Sequence, residues 1–269
     1  MTVPISRRRV IQQLAIGSVA CPTCLSLLAG RDAQAESATT PSHGGAAHWT
    51  YEGEAGPQNW GELSADFRVC ELGFEQTPID LRNAVSAQLA GVEPDFQSMP
   101  LTIVNNGHTI QVNCSPGSRT RIDGRSFELL QFHFHHPSEH LLAGRAFELE
   151  LHFVHRSDAG QLAVLGVFIQ LGAENAALEP IWAGMPTEAG PVQEIGTPIR
   201  PAALLPTDRG FFRYQGSLTT PPCSEGVLWT MFKQPIEASE AQIRKFAGLF
   251  PVNARPVQGV NRRFLLQSL

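Results

Sequence analysis

The sequence predicts a mainly β (α+β) fold, a single sheet-dominated domain over residues 48–269. Three observations carry this. Strand-like patterning recurs in short runs: Leu101–Val104, Thr109–Cys114, Phe127–His135, Phe147–His155, Leu162–Leu171 and Val227–Lys233. Helical signals are few, confined to Pro94–Met99, Asn175–Trp182 and Ser239–Leu249. In the last, Ser239 can cap the amino end, Gln242 lies three residues on, and Ile243, Phe246 and Leu249 supply an apolar face. Neither a repeat nor a linker interrupts residues 48–269. A hydrophobic content of 42% supports a real core, and 17% charged residues is ordinary for a globular chain. The net charge of −5, with no basic block, excludes nucleic acid as an expected partner.

The first 35 residues read as an export segment. Ser6-Arg7-Arg8-Arg9-Val10-Ile11 forms a basic start, and a mostly apolar stretch runs from Leu14 to Ala29. Ala33-Gln34-Ala35 then places small residues where a signal peptidase cuts. The paired arginines resemble a twin-arginine signal. Stable membrane insertion is not expected, because Gly17 and Cys21-Pro22-Thr23-Cys24 break the apolar run. Cleavage takes away four arginines and one aspartate, leaving 16 basic and 24 acidic residues, a net −8 that suits a periplasmic or secreted protein. Residues 36–47 are small and polar and read as a flexible lead-in, with His43 solvated.

Cys21 and Cys24 fall in the leader and lack the strand–helix context of a redox motif. Cys70, Cys114 and Cys223 remain, and an oxidising compartment permits one disulfide among three pairings. Residues 184–209 carry five prolines and read as an ordered surface excursion between strands.

The stretch from Gln131 to His155 carries the chemistry. On a strand, alternate side chains share a face. Gln131, His133 and His135 therefore face one way, and Phe132 and Phe134 the other. After Pro137, Glu148, Glu150, His152 and Val154 share a face opposite Leu149, Leu151 and Phe153. Side by side, the two strands converge three imidazoles with carboxylates behind them. Three neutral histidines with an open fourth position form the ligand set of a catalytic zinc site.

Four motifs then appear in order: Gln76-Thr77-Pro78-Ile79-Asp80, Asn105-Asn106-Gly107-His108, the His-x-His/Glu-x-His block, and Ser217-Leu218-Thr219-Thr220-Pro221-Pro222. With them, the chain from His48 to Leu269 resembles an α-class carbonic anhydrase, and Gly56–Gly61 resembles the bacterial members. The resemblance implies a large, mostly antiparallel twisted sheet with a few short peripheral helices. It implies Zn2+ as cofactor, held by His133, His135 and His152, with Gln131 behind His133, Glu150 behind His152 and a backbone carbonyl behind His135. The implied activity is reversible hydration of carbon dioxide to bicarbonate and a proton, by attack of zinc-bound hydroxide.

The resemblance carries further roles, residue by residue. Thr219 is the expected gatekeeper, donating to Glu139. Val154, Val164, Leu218, Thr220, Val227 and Trp229 line the expected substrate pocket. His108 is the expected proton shuttle, with Tyr51, Asn106 and Gln111 ordering the water between it and the metal. Cys70 and Cys223 form the expected disulfide, leaving Cys114 free. His140 and His155 match buried structural positions, and His136 has no assigned role. Bacterial members are often dimers, so a homodimer is the assembly the resemblance suggests.

Overall fold

The computed structural model describes residues 47–269; the export segment, His43 and most of the lead-in lie outside them. Within the described residues, thirteen strands form one sheet. Its main path runs Gln193–Ile199, Met99–Asn105, Ile110–Asn113, Arg125–His135, Leu149–Ser157, Leu162–Leu171, Glu225–Phe232, Phe211–Ser217, Leu266–Ser268, Val85–Ala87. Two neighbouring pairs on this path are parallel: Leu162–Leu171 with Glu225–Phe232, and Leu266–Ser268 with Val85–Ala87. The rest are antiparallel. All six strand runs expected from the sequence are strands here. Among the described residues no helix is long and apolar enough to cross a membrane.

The faces alternate as the pattern requires. Phe132, Phe134, Leu149, Leu151 and Phe153 enter one hydrophobic core, which the helix Glu240–Ala247 covers with Ile243 and Phe246. That helix starts on the expected capping box, with Ser239 and Gln242 bonding reciprocally. Val154, Val164, Val227 and Trp229 enter a second cluster on the opposite face. A bulge between Leu129 and Gln131 changes the phase of the first histidine strand. Phe127 and Leu129 point into the same core as Phe132 and Phe134, although their parity differs. The extra residue turns the odd positions from core-facing to site-facing just before His133, a common use of bulges.

Two expectations fail. Pro94–Met99 is not helical: Pro94 and Asp95 close the edge strand Val92–Asp95, and Met99 opens the strand Met99–Asn105. Pro94 pairs with Thr120 at that edge, where a missing N–H costs little. The proline-rich excursion is likewise not all loop. Residues Gln193–Ile199 add an edge strand to Met99–Asn105, with irregular register between Glu194 and Pro198. An edge position tolerates the proline that a central strand would reject.

Candidate metal centre

The two histidine strands pair so that His133 stands opposite His152, and Gln111 on the next strand stands opposite His133. The rings of His133, His135 and His152 lie 4.6–5.2 Å apart, centroid to centroid. Each ring uses one nitrogen on the protein. His133 Nδ1 donates to Gln131 Oε1 at 2.8 Å, His135 Nδ1 to the Asn253 carbonyl at 2.7 Å, and His152 Nε2 to Glu150 Oε1 at 2.6 Å. That leaves Nε2, Nε2 and Nδ1 as the available donors. Nitrogens of the three residues lie within 4.8 Å of one another, a grouping able to hold a metal ion.

Electrostatics favour the neutral ligand form. Burial, then the neighbouring imidazoles, hold His133 well below the ordinary histidine range. Burial likewise lowers His135, with Glu139 opposing. Glu150 is buried, which alone would raise it, but the imidazoles of His140 and His152 outweigh that and keep it well below the usual carboxylate range. A buried carboxylate behind a ligating imidazole fixes its tautomer and raises its basicity. The His135 Nε2 atom is buried with no hydrogen-bond partner. Orphaned polar atoms of this kind are rare, and a metal ion satisfies this one. The donor set therefore fits zinc, which takes imidazole nitrogen in tetrahedral sites.

Glu139 stands beside the cluster, fully buried. Its Oε1 accepts from the Arg255 backbone N–H at 2.8 Å. Its Oε2 lies 3.5 Å from His135 Nε2 and 3.9 Å from His152 Nδ1, and it has no hydrogen-bond partner. The expected bond from the Thr219 hydroxyl is therefore not formed in this structure: the free carboxylate oxygen lies against the two imidazole nitrogens instead.

Thr219 is nonetheless buried and follows the strand Phe211–Ser217 directly, with Leu218 packed on the second core cluster. Leu218 N–H donates to Ser224 O and Cys223 N–H to Thr220 O, which folds the segment into a turn. A Cys70–Cys223 disulfide ties that turn to the amino-terminal helices. Val154, Val164, Val227 and Trp229 lie buried in that same cluster, and Trp229 sits edge-on to His152 at 4.9 Å. Thr220 is half-buried at the turn.

His108 does not join the imidazole cluster. It lines a pocket of about 420 Å³ with His48, Trp49, Tyr51 and the Leu249–Asn253 segment. Its ring stacks face to face on Trp49, 3.7 Å between centroids and 8° from parallel. Burial, then the nearby His48, lowers it from the ordinary imidazole value. Asn106 Oδ1 accepts from the backbone N–H groups of His108 and Thr109, so its side chain clamps the turn that carries His108. Gln111 Nε2 donates to Asn113 Oδ1. Tyr51 is held well above the usual phenol range by burial and by Glu139, so it remains a hydrogen-bond donor.

Comparison with known proteins agrees with this geometry. The family model described as eukaryotic-type carbonic anhydrase matches residues 55–268. A carbonic anhydrase from Nostoc sp. is 47% identical over 86% of this chain and 90% of its own length. The chain belongs to the eukaryotic-type (α) carbonic anhydrase family. Among solved structures, the α-carbonic anhydrase of Thermovibrio ammonificans in complex with sulfanilamide superposes with a TM-score of 0.80 at 46% identity, covering 82% of this chain and all of that one. A carbonic anhydrase from Pectobacterium carotovorum is 44% identical over 81% of this chain and 90% of its own length.

This carbonic anhydrase also relies on residues that the sequence reading left without a role. Asn253 supplies the carbonyl behind His135, and its amide donates to the carbonyls of His108 and Phe134 and accepts from His136 N–H. His136 in turn donates to Pro251 O, which braces the same loop. Buried Arg255 donates to Cys70 O, Gln76 Oε1 and Thr77 O, and its charge faces the Trp60 ring. His140 donates through Nδ1 to the Glu150 oxygen that His152 also uses. His155, as expected, is buried away from the metal centre, between Thr120 and the Phe153 carbonyl. The Asn253–Arg255 segment carries no periodic pattern, so nothing in its spacing marked it.

Proposed function

We propose that this carbonic anhydrase hydrates carbon dioxide reversibly to bicarbonate and a proton at a zinc ion held by His133, His135 and His152. The observation that carries this reading is the set of leftover nitrogens. Each ring has its other nitrogen bonded to a fixed oxygen, and the three free ones converge. Zinc bound there supplies a water of lowered pKa, near ~7, and so a nucleophile at neutral pH.

The chain's own residues do the rest. Gln131, Asn253 and Glu150 hold the imidazoles in one tautomer, so that the lone pairs face inward. Glu139 and Thr219 orient the nucleophile: Glu139 Oε2 has no hydrogen-bond partner of its own, and Thr219 is buried. Val154, Val164, Leu218, Val227 and Trp229 supply a dry apolar wall for a substrate that has no dipole. Thr220 closes the rim of that wall. His108 accepts the released proton and passes it to bulk: it lines the pocket with His48 and Tyr51, and imidazole is the side chain suited to relaying protons through water. Tyr51, Asn106 and Gln111 line the path between. The Cys70–Cys223 disulfide fits export to an oxidising space, which is the periplasmic or secreted setting the leader suggests. The domain responsible is residues 48–269.

The deciding experiment is zinc analysis beside stopped-flow hydration of carbon dioxide, with and without chelator. One zinc per chain and chelator-sensitive hydration are expected. Hydration that persists in metal-free protein would sink the reading.

A further inference from the structure

Thr77 is fully buried in the Gln76–Asp80 segment, far in sequence from the metal centre and outside every role assigned so far. Its hydroxyl oxygen accepts from the Ser217 backbone N–H at 2.9 Å and lies 3.2 Å from Tyr214 Oη. Its own N–H donates to Ser217 Oγ at 3.0 Å. Tyr214 Oη is 2.6 Å from His140 Nε2, His140 Nδ1 is 2.7 Å from Glu150 Oε1, and that same oxygen is 2.6 Å from His152 Nε2. Every link is a buried atom pair with hydrogen-bond geometry, so the contacts form one unbroken chain.

The chain has a direction. His152 must donate through Nε2 if Nδ1 faces the metal, and a neutral His140 donates through Nδ1 to the same carboxylate. Tyr214, whose proton burial holds well above neutral pH, then donates to His140 Nε2. Thr77 donates to Tyr214 and receives from Ser217. All donors and acceptors are satisfied in a single order, which is what makes a buried polar network stabilising rather than costly. The far end is fixed as well. Trp229 Nε1 donates to Ser217 O, and a Cβ on Gly216 would meet Thr77 Oγ1 at 2.2 Å, so this strand end is held tight against Thr77. Ser217 lies two residues before Thr219.

We infer that Thr77 is a positioning residue for the metal centre: its hydroxyl couples the strand end that carries Thr219 to the zinc ligand His152 through Tyr214, His140 and Glu150. Metal occupancy and placement of the Thr219 segment are then one coupled event. The inference rests on the zinc reading above.

The test measures zinc release to a chromogenic chelator in Thr77→Val, Tyr214→Phe, the double variant, Thr77→Ser, and Thr120→Val. Thr120 is an equally buried hydroxyl bonded to His155, outside the chain of contacts. Thr77→Val and Tyr214→Phe should each release zinc about tenfold faster or more, the range seen when a ligand's outer partner is lost. The double variant should be no faster than the worse single, because the links are in series. Thr77→Ser should restore the wild-type rate. Thr120→Val should lower thermal stability and leave zinc release unchanged. If Thr77→Val releases zinc at the wild-type rate, or if Thr120→Val accelerates release equally, the coupling is wrong. If wild-type protein binds no zinc, the zinc reading itself has failed.

Discussion

His135 and Asn253 are joined ring to backbone: the imidazole Nδ1 donates to the Asn253 carbonyl at 2.7 Å. The same asparagine reaches the His108 carbonyl with its side chain at 2.9 Å, so one residue braces both a proposed metal ligand and the turn that carries His108. Its amide makes three buried or part-buried bonds to the backbone. At ~1 kcal/mol for each net bond, Asn253→Ala should lower unfolding stability by about 3 kcal/mol, measured by urea denaturation. It should also weaken zinc binding while the three ligands remain intact. Wild-type stability in the variant would show that the loop holds its shape without the amide.

His108 stacks on Trp49 and is not part of the imidazole cluster, and the proposed function makes it the proton relay. His108→Ala should slow turnover in weak buffer by about an order of magnitude or more, and small imidazole buffers should restore it. The carbon dioxide–bicarbonate exchange at chemical equilibrium, which needs no proton export, should be unchanged. Equal turnover of variant and wild type in weak buffer would remove His108 from the path.

Much of this site was legible because its two decisive signals are local. Strand alternation put His133, His135 and His152 on one face, and their pairing confirms it. The strand runs were equally plain, since buried strands demand consecutive apolar positions. What escaped had no local signal. Asn253, Arg255 and Thr77 act across separations of more than 100 residues from irregular segments, where the same side chain would serve as well in a solvated turn. Pro94–Met99 misled for the converse reason: a proline suggests a helix start or a turn, and only the presence of an edge beside Thr120 makes it a strand. The Thr219–Glu139 bond is a different case. The family pattern supplied it, and the structure shows Glu139 Oε2 against His135 instead.

Acid should destabilise the protein through His155. Its ring is fully buried, bonded to Thr120 Oγ1 at 2.9 Å and to the Phe153 carbonyl. Burial lowers its pKa to about 4, against an ordinary value of 6.5. As pH falls from 6.5 to 4, the unfolded chain takes up a proton that the folded chain refuses, so stability falls across that window. It is flat above 6.5 and levels off below 4. At ~1.4 kcal/mol per unit, the loss approaches about 3 kcal/mol. His155→Gln removes this contribution. With chelator present throughout, the stability gap between variant and wild type should shift by that amount, in the variant's favour, from pH 7.5 to pH 4. A gap that does not move with pH would mean that the ring is protonated in the folded state.

The remaining cysteines make a thiol count decisive. Cys70 and Cys223 are bridged across 153 residues, and a long loop loses much entropy in the unfolded state when it is closed. Replacing both by serine should cost about 2–5 kcal/mol and loosen the turn after Thr219, so zinc release should also quicken. Cys114 is free, and burial pushes its thiol up to about 12. At pH 8 it is therefore a half-buried thiol rather than a thiolate, and only the thiolate reacts. In protein beginning at residue 36, a thiol-reactive dye should count none in the native state. It should count one after unfolding without reductant and three after unfolding with it. Three thiols appearing on unfolding without reductant would mean that no disulfide forms, and a disulfide mapped to Cys114 would overturn the pairing.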